Sequence, residues 1–349
     1  MKILSNEPLA NYTSLKAGGP AERLIITEEG DSLSDIVEDF KKQGSIKVLG
    51  FGTNCLVSDH GLPGTVILNK TGSIKRLSST IFRVDSGVNW DHLVQQVIDG
   101  KLWGAEFSSG IPGGVGAAIA GNIAAYGHKV SDMLVEATIL NEDGSMEIWK
   151  KEDFKFSYRS SALHKPENKN LVIIDGVFEF SESPTGELEY QKALAAAKDM
   201  GINPDSLENR RRIILEARWR AGSLLGDLSE GPWTAGSFFK NPSVGENQIN
   251  EILKSEETNL SEDQIIRQNR LHTNNNSRVP AALVMLAAGF ERGQAWGQVR
   301  LHPDHVLKIE NMGGASAQEI YDVVQNIIVT VKEKLDIVLE PEVKFIGKF

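Results

Sequence analysis

The stretch that decides the fold is Ser108–Gly127, SSGIPGGVGAAIAGNIAAYG, which contains six glycines. Because each glycine costs a helix or strand about 0.5–1 kcal/mol relative to alanine, this run is poor material for an ordinary core. Glycine does allow close backbone approach, so that several N–H groups can face the oxygen atoms of a ligand. We interpret the stretch as a ligand cradle; a Gly/Ala-rich turn packed tightly against another element is the alternative.

The glycine spacing disfavours two common nucleotide-binding motifs. The stretch is not Gly-x-Gly-x-x-Gly at the start of a helix, and no Gly-Lys-Ser/Thr follows, so neither a Rossmann fold nor a P-loop is supported. A second loop, Gly50-Phe51-Gly52-Thr53-Asn54, follows a predicted strand at 46–49 and can present further amides to an anion. The two loops together predict a phosphorylated ligand.

Composition limits the class of protein. A chain of 349 residues predicts two or three domains, and 40% hydrophobic with 24% charged residues is typical of a soluble globular protein. No apolar run approaches the roughly 20 residues of a membrane helix, and no signal peptide opens the chain, so we expect a cytoplasmic protein without a membrane partner. The net charge of −10 argues against nucleic acid. The single cysteine, Cys55, excludes an internal disulfide and predicts a buried packing role.

Predicted elements divide the chain into three parts. A βαβ-like unit closes near residue 70, with a helix opened by Asp31-Ser32-Leu33-Ser34. Recurrent strands with few helices then indicate an α+β unit, in which Asp91 is placed to cap a helix. A third part begins at Trp233, and the strand 337–346 carries Pro341, which places it at an edge or bulge. Helical patterns occupy 187–198, 248–253, 281–288 and 317–335.

A helix at 207–220 carries five arginines, and two interpretations stay open. They form a solvated helix face paired with Glu208 and Glu216, or a local basic wall for a phosphate-bearing ligand. Other chemistries have weak support. No Gly-x-Ser-x-Gly elbow is present for a serine hydrolase, and His302, Asp304 and His305 lack further ligands at zinc-like spacing, so we expect no metal.

Six segments, in the same order along nearly the whole chain, resemble the UDP-N-acetylenolpyruvoylglucosamine reductase (MurB) family. The most specific are Ala-Gly-Ser-Phe-Phe-Lys-Asn-Pro and the Glu-Pro-Glu strand. The segments are Gly50–Asn54, Ser109–Gly116, Asn122–Gly127, Phe156–Ser160, Ala235–Pro242 and Leu339–Val343.

The resemblance implies an α+β fold with a two-subdomain FAD-binding domain of the vanillyl-alcohol-oxidase type and a C-terminal α+β substrate-binding domain. The first FAD subdomain is then 1–69, completed by the C-terminal strand 336–349, and the second is 70–219. The substrate-binding domain is 220–335 and closes over the substrate. A monomer is expected.

The resemblance also implies an activity: NADPH-dependent reduction of UDP-N-acetylglucosamine enolpyruvate to UDP-N-acetylmuramate through bound FAD, in peptidoglycan precursor synthesis. Arg159 then stabilises the negative charge that develops on the substrate, Glu342 polarises the same group, and Ser237 delivers a proton. Residues implied to bind FAD are Gly50, Gly52, Thr53, Asn54, Ser109, Gly110, Ile111, Pro112, Gly113, Gly114, Gly116, Ala117, Asn122 and Gly127. Residues implied to bind the sugar-nucleotide substrate are Tyr126, Tyr158, Tyr190, Lys240, Asn241 and Arg278.

Some positions depart from the family pattern. Gly121 replaces the usual glutamine, Leu283 and Leu286 stand where the family has a tryptophan and an acid, and the segment 294–303 is unlike the family's glycine-rich version. These departures concern the nicotinamide or sugar-nucleotide contacts. Two other functions therefore stay open: an FAD-dependent carbohydrate oxidase of the broader flavin family, against which the retained Arg159, Ser237 and Glu342 weigh, and a non-catalytic flavin- or nucleotide-binding paralogue.

Overall fold

The computed structural model describes residues 1–224, 231, 233–255 and 278–349, which group into two units. Unit 1 comprises Met1–Glu7, Ala21–Gly52 and Leu62–Arg220. Unit 2 comprises Pro8–Pro20, Thr53–Gly61 and Ala221–Phe349. The three-part division proposed from the sequence stays a prediction. Within the described part of the chain, no helix combines the length and apolarity that a membrane crossing requires.

The first sheet of unit 1 has the strand order β1-β2-β5-β3, with β2 and β3 both parallel to β5. Helix α1 connects β2 to β3, which confirms the predicted βαβ-like unit. Ser32 caps α1 by accepting the N–H of Asp35, and its buried face packs against Ile25 and Ile67. The elements are β1 Lys2–Pro8, β2 Pro20–Ile26, α1 Leu33–Lys41, β3 Ile46–Leu49 and β5 Leu62–Leu68, with β4, Cys55–Val57, lying in unit 2.

The second sheet of unit 1 is antiparallel, with the order β11-β10-β12-β7-β6. Its core includes the fully buried Trp90 at the start of α2. The predicted cap of α2 was wrong by two residues: the Asn89 side chain, not Asp91, accepts the N–H of His92 at 3.1 Å. The elements are β6 Ile74–Arg76, β7 Ile81–Asp85, α2 Trp90–Asp99, α3 Val115–Gly121, β8 Ala124–Ala125, β9 His128–Lys129, β10 Leu134–Leu140, β11 Met146–Lys150 and β12 Val172–Glu179.

A helical hairpin completes unit 1. Helices α4, Gln191–Met200, and α5, Leu207–Arg220, bury a shared apolar face that includes Ala193 and Ile213. This face packs on Phe107, which lies in the 3-10 turn Glu106–Ser108 just before the central glycine stretch. The hairpin is therefore attached directly to the segment that the sequence singled out.

Unit 2 is built on a third sheet with the order β13-β16-β15-β14, whose apolar residues share a core with α7 and α8. The predicted helices at 248–253, 281–288 and 317–335 are confirmed as α6, α7 and α8. The elements are β13 Trp233–Ser237, α6 Glu246–Lys254, α7 Ala281–Ala287, β14 Ala295–Trp296, β15 Val299–His302, β16 His305–Asn311, α8 Ala317–Leu335 and β17 Lys344–Ile346.

The C-terminal strand is shorter than predicted. Only β17 is regular, and it runs parallel to β4 within unit 2. The preceding Glu340-Pro341-Glu342 instead forms an isolated bridge, Phe239 with Pro341, and hydrogen bonds that flank it. Proline has no N–H to donate to a ladder, so the segment cannot continue as a regular strand through Pro341.

A substitution at Gly116 can test how tightly the glycine stretch packs on its own chain. A Cβ at Gly116 would lie 2.9 Å from the Cβ of Ser86, whereas a Cβ at Gly121, in the same helix, would meet nothing nearer than 3.8 Å. We expect Gly116→Ala to lower the free energy of unfolding by about 1–3 kcal/mol through overpacking. The matched Gly121→Ala should raise it by about 0.5–1 kcal/mol. Urea unfolding of both variants measures this, and equal effects would contradict the packing argument.

Candidate active site

The loop before α3 takes backbone conformations that favour glycine. Gly110 has φ +72° and Gly113 has φ +121°, both in the left-handed region. The loop is held at its far end because the N–H of Trp90 donates to the carbonyl of Gly113 at 2.9 Å. At its near end Ser109 is fully buried, and its hydroxyl donates to the carbonyl of Glu106 at 2.6 Å. Ile111 and Pro112, between these anchors, are partly exposed.

The structure brings the two predicted glycine loops of unit 1 together. A Cβ at Gly114 would lie 3.2 Å from the Phe51 ring, and one at Gly50 would lie 3.9 Å from the Cβ of Ala117. Gly116 donates its N–H to the carbonyl of Ser86 at 2.8 Å. For Gly114 and Gly116 the close approach is to the protein's own chain, as the alternative interpretation of the stretch required.

Several backbone N–H groups of these loops make no hydrogen bond within the described part of the chain. Among the hydrogen bonds of the described residues, none uses the N–H of Gly50, Phe51, Gly52, Gly113 or Gly114. The first two N–H groups of α3, those of Val115 and Gly116, are already donated to the carbonyls of Val88 and Ser86, so the loop amides are the donors that a ligand could use. This arrangement fits the diphosphate of a flavin dinucleotide, which backbone amides can bind without a large cationic cluster.

Arg159 occupies a two-residue turn in unit 1. Ser157 and Ser160 exchange backbone hydrogen bonds across it, and Arg159 has the left-handed φ of +54°, which is uncommon for a residue with a side chain. Asn122, which ends α3 with φ +43°, donates its side-chain amide to the carbonyl of Ser157 at 3.2 Å. Asn122, predicted to bind FAD, therefore also ties α3 to the turn that carries Tyr158 and Arg159.

Two predicted substrate residues contact each other in unit 1. The rings of Tyr126 and Tyr190 pack edge to face with centroids 5.2 Å apart. Burial raises the pKa of Tyr126 to about 12, and the charge of Arg218 opposes this rise. Tyr126 (φ +51°) and Gly127 (φ +87°) form the turn between β8 and β9, and Tyr190 directly precedes α4.

The arginines of α5 divide between the two interpretations. Arg220 pairs with Glu216 as predicted for a solvated face, but Glu208 pairs with Lys101 instead. Arg210 and Arg211 turn inward to the carboxylates of Glu106 and Asp91. The pattern gave no signal of this inward pairing, since the two carboxylates lie more than 100 residues away along the chain.

Arg218 lies on the same face of α5, two turns after Arg211. Burial lowers its pKa, and the charge of Arg159 adds to this effect, while Tyr126 and Asp91 oppose it. Burial would also raise the pKa of Asp91, but hydrogen bonds from Arg211 and the Gly110 N–H outweigh it and hold that pKa below its usual value. Two arginines of unit 1 thus act on each other, and Arg218 is one of the five arginines for which the sequence left a basic wall open as an interpretation.

Two predicted catalytic residues lie close along neighbouring segments of unit 2. Ser237 ends β13, after a register shift against β16 that includes Gly236 (φ +76°), and it is exposed. The next residue, Phe238, is fully buried, and its carbonyl accepts the N–H of Glu342 at 2.8 Å. The buried phenylalanine and this bond place Glu342 next to the end of β13.

The other predicted residues of unit 2 hold local structure. The Asn54 side chain donates to the Glu342 carbonyl at 3.3 Å, while Thr53 accepts from Ser14 through its carbonyl. The Lys240 ammonium pairs with Glu340 at 3.0 Å. The Asn241 side chain accepts the N–H of Ala281 at the start of α7, and Arg278 donates to the Asn241 carbonyl at 2.8 Å.

The described residues contain no group of three or more His, Cys, Asp or Glu that could hold a metal ion. His302 and Asp304 lie near each other, with 3.8 Å between nitrogen and carboxylate. Cys55 is buried, as predicted, and burial raises the pKa of its thiol to about 11. Such a thiol is almost entirely protonated at neutral pH and is therefore a weak nucleophile.

Two family models match the chain. One describes an FAD binding domain and matches residues 21–148, and the other describes the C-terminal domain of UDP-N-acetylenolpyruvoylglucosamine reductase and matches residues 227–346. These matches cover the glycine loops of unit 1 and both predicted catalytic residues of unit 2.

Individual relatives agree over nearly their whole length. The chain is 31% identical to UDP-N-acetylenolpyruvoylglucosamine reductase of Bacillus subtilis, covering 99% of this chain and 94% of that protein. It is 30% identical to the protein of the same name from Thermobifida fusca, covering 98% and 97%. The solved UDP-N-acetylenolpyruvylglucosamine reductase of Thermus caldophilus has the same fold, with a TM-score of 0.63 at 22% identity, covering 99% and 98% of the two chains.

Proposed function

Since this chain belongs to the UDP-N-acetylenolpyruvoylglucosamine reductase family, we propose how its own residues divide the work of that family's reaction. The protein is an FAD-dependent oxidoreductase that reduces UDP-N-acetylglucosamine enolpyruvate to UDP-N-acetylmuramate with NADPH as the reductant, in peptidoglycan precursor synthesis. The domain order expected from the sequence, an FAD-binding domain followed by the C-terminal domain of the reductase family, is confirmed.

FAD supplies the hydride chemistry when bound. The N–H groups of the two glycine loops, at 50–52 and 113–114, would hold its diphosphate. Ser109 and Gly110 hold the loop in its conformation through their hydrogen bonds to Glu106 and Asp91. The remaining predicted FAD contacts lie in the segments 50–54 and 109–127.

Three side chains act on the substrate. Arg159 binds the carboxylate of the enolpyruvyl group and stabilises the negative charge that grows there when a hydride arrives. Ser237 donates the proton that completes the lactyl ether. Glu342 polarises the substrate group beside it. The observation that carries this assignment is the bond between Glu342 and Phe238, which sets Glu342 beside the segment that ends in Ser237.

The substrate is a small sugar nucleotide, and its predicted contacts are Tyr126, Tyr158, Tyr190, Lys240, Asn241 and Arg278. We further propose that the protein is a cytoplasmic monomer. We propose no nucleic-acid or membrane partner, because the net charge of −10 would repel nucleic acid and anionic membrane surfaces. Size-exclusion chromatography with light scattering tests the monomer, and a dimer mass would overturn that part.

NADPH consumption by the flavin-loaded protein, followed with and without UDP-N-acetylglucosamine enolpyruvate, tests the proposed function. We expect oxidation of NADPH in proportion to added substrate and formation of UDP-N-acetylmuramate. Flavin-loaded protein that shows no substrate-dependent turnover would overturn the assignment of the residues and leave the non-catalytic paralogue.

A further inference from the structure

A partly buried charge network in unit 1 joins α5 to the loop proposed to bind FAD. The Asp91 carboxylate accepts the Gly110 N–H at 2.6 Å through Oδ1. It also accepts both terminal nitrogens of Arg211, at 2.7 Å each, one on each oxygen. This two-pronged geometry is the strongest form of the arginine–carboxylate pair. Only 15% of the Arg211 side chain and 30% of the Asp91 side chain is exposed.

The neighbouring Arg210 holds the other end of the same segment. Its guanidinium lies 3.2 Å from the carboxylate of Glu106, which is fully buried and also accepts the N–H of Gly104 at 2.6 Å. The same guanidinium lies over the rings of Trp103 and Phe107. Consecutive residues of α5 therefore anchor both ends of the short segment 106–110.

The anchor that Asp91 provides at Gly110 lies where the loop takes a left-handed backbone conformation. Gly110 is left-handed, and from Gly110 to Gly113 the loop contains a partly exposed Ile-Pro pair before it returns to Trp90. Asp91 is the neighbour of Trp90 in α2, so one helix start holds both Gly110 and Gly113. The position of the available N–H groups at 113–114 depends on these two anchors.

We propose that Asp91 and Arg211 are positioning residues for FAD: their ion pair fixes Gly110 and thereby aims the loop amides at the diphosphate. The inference rests on the proposed placement of FAD on this loop. Neither side chain needs to touch the flavin. Arg211 also neutralises the Asp91 carboxylate, which would otherwise repel the phosphates of FAD.

This arrangement predicts that substitutions of Arg211 and of Asp91 raise the Kd for FAD by different factors. Arg211→Gln leaves an unpaired carboxylate beside a diphosphate, so the Kd for FAD should rise about 10- to 100-fold, the range for hydrogen bonds to charged groups. Asp91→Asn keeps an oxygen acceptor for Gly110 and removes the negative charge, so we expect a rise of only about 3- to 10-fold. The double variant should bind FAD more tightly than Arg211→Gln alone, because it no longer carries the carboxylate.

Arg212→Gln is the matched control, since Arg212 is the next residue of α5, is exposed, and loses the same charge. Apo-protein of each variant is titrated with FAD by flavin fluorescence, and visible circular dichroism of the bound flavin reports the geometry of its surroundings. We expect Arg212→Gln to match the wild type in both readouts and Arg211→Gln to differ in both.

The outcomes separate the inference from the function on which it rests. Wild-type apo-protein that binds no FAD would overturn the proposed function itself. Wild-type binding combined with an unchanged Kd in both Asp91→Asn and Arg211→Gln, even if their urea midpoints fall, would overturn the positioning role. If Arg211→Gln fails to fold, the Asp91→Asn variant and the double variant decide: a Kd equal to that of Arg212→Gln in both would reject the proposal.

Discussion

Ser237→Ala is expected to lower substrate reduction about 10²- to 10⁴-fold while flavin reduction by NADPH continues at the wild-type rate. The substituted group donates a proton only after the hydride has reached the substrate, so an earlier half-reaction does not need it. Ser237 is exposed at the end of β13, and removing one hydroxyl there leaves the buried Phe238 in place. Stability should therefore change little.

Stopped-flow spectroscopy separates the two half-reactions. Flavin bleaching is followed after mixing with NADPH, and its return is followed after mixing the reduced protein with substrate. Ser243→Ala, an exposed serine of the same unit, is the control and should match the wild type in both phases. A Ser237→Ala variant that reoxidises at the wild-type rate would show that another group donates the proton.

Arg159→Gln is expected to lower kcat about 10²- to 10³-fold, the usual loss when one preorganised charge-stabilising donor is removed. Arg159→Lys should recover only part of this loss. Lysine keeps the positive charge but cannot grip a carboxylate through two parallel N–H groups. Gln and Lys, like Arg, are unbranched at Cβ and meet the same restriction at a left-handed φ, so we expect the folding stability of both variants to stay close to that of the wild type.

Steady-state kinetics with the sugar-nucleotide substrate measures this order. Lys155→Gln is the matched control, because Lys155 is also left-handed (φ +46°), is exposed, and loses the same charge four residues earlier. Arg159→Lys with wild-type kcat would mean that charge alone suffices. Arg159→Gln with wild-type kcat would remove Arg159 from the proposed catalytic set.

Local patterns were enough for several parts of the fold. Leu93, Val94, Val97 and Ile98 recur at the spacing of one helix face, and all four are buried in α2. The residues Asn141–Gly144 are typical of a tight turn, and they join β10 and β11 in a hairpin. Both patterns match the structure because helix periodicity and turn chemistry depend on residues that are neighbours along the chain.

Predictions of the hydrogen-bond or ion-pair partner of a polar side chain were less successful. Asp91 was assigned to a helix cap, and the arginines of α5 to solvent or to a phosphate. The structure pairs Asp91 with Arg211, 120 residues later. Nothing in either local sequence indicates that pairing, because a charged side chain carries no record of which distant partner the packing will bring within reach.

The sequence by itself determined the class of ligand and the family, since the glycine loops and the segments Ala235–Pro242 and Leu339–Val343 are contiguous motifs. The structure showed which glycines of the stretch take left-handed conformations, among them Gly110 and Gly113. Only the tertiary structure decided that Gly114 and Gly116 are small because Phe51 and Ser86 approach them. It alone decided that α5 anchors the loop, because such contacts arise only when burial of apolar faces has brought distant segments together.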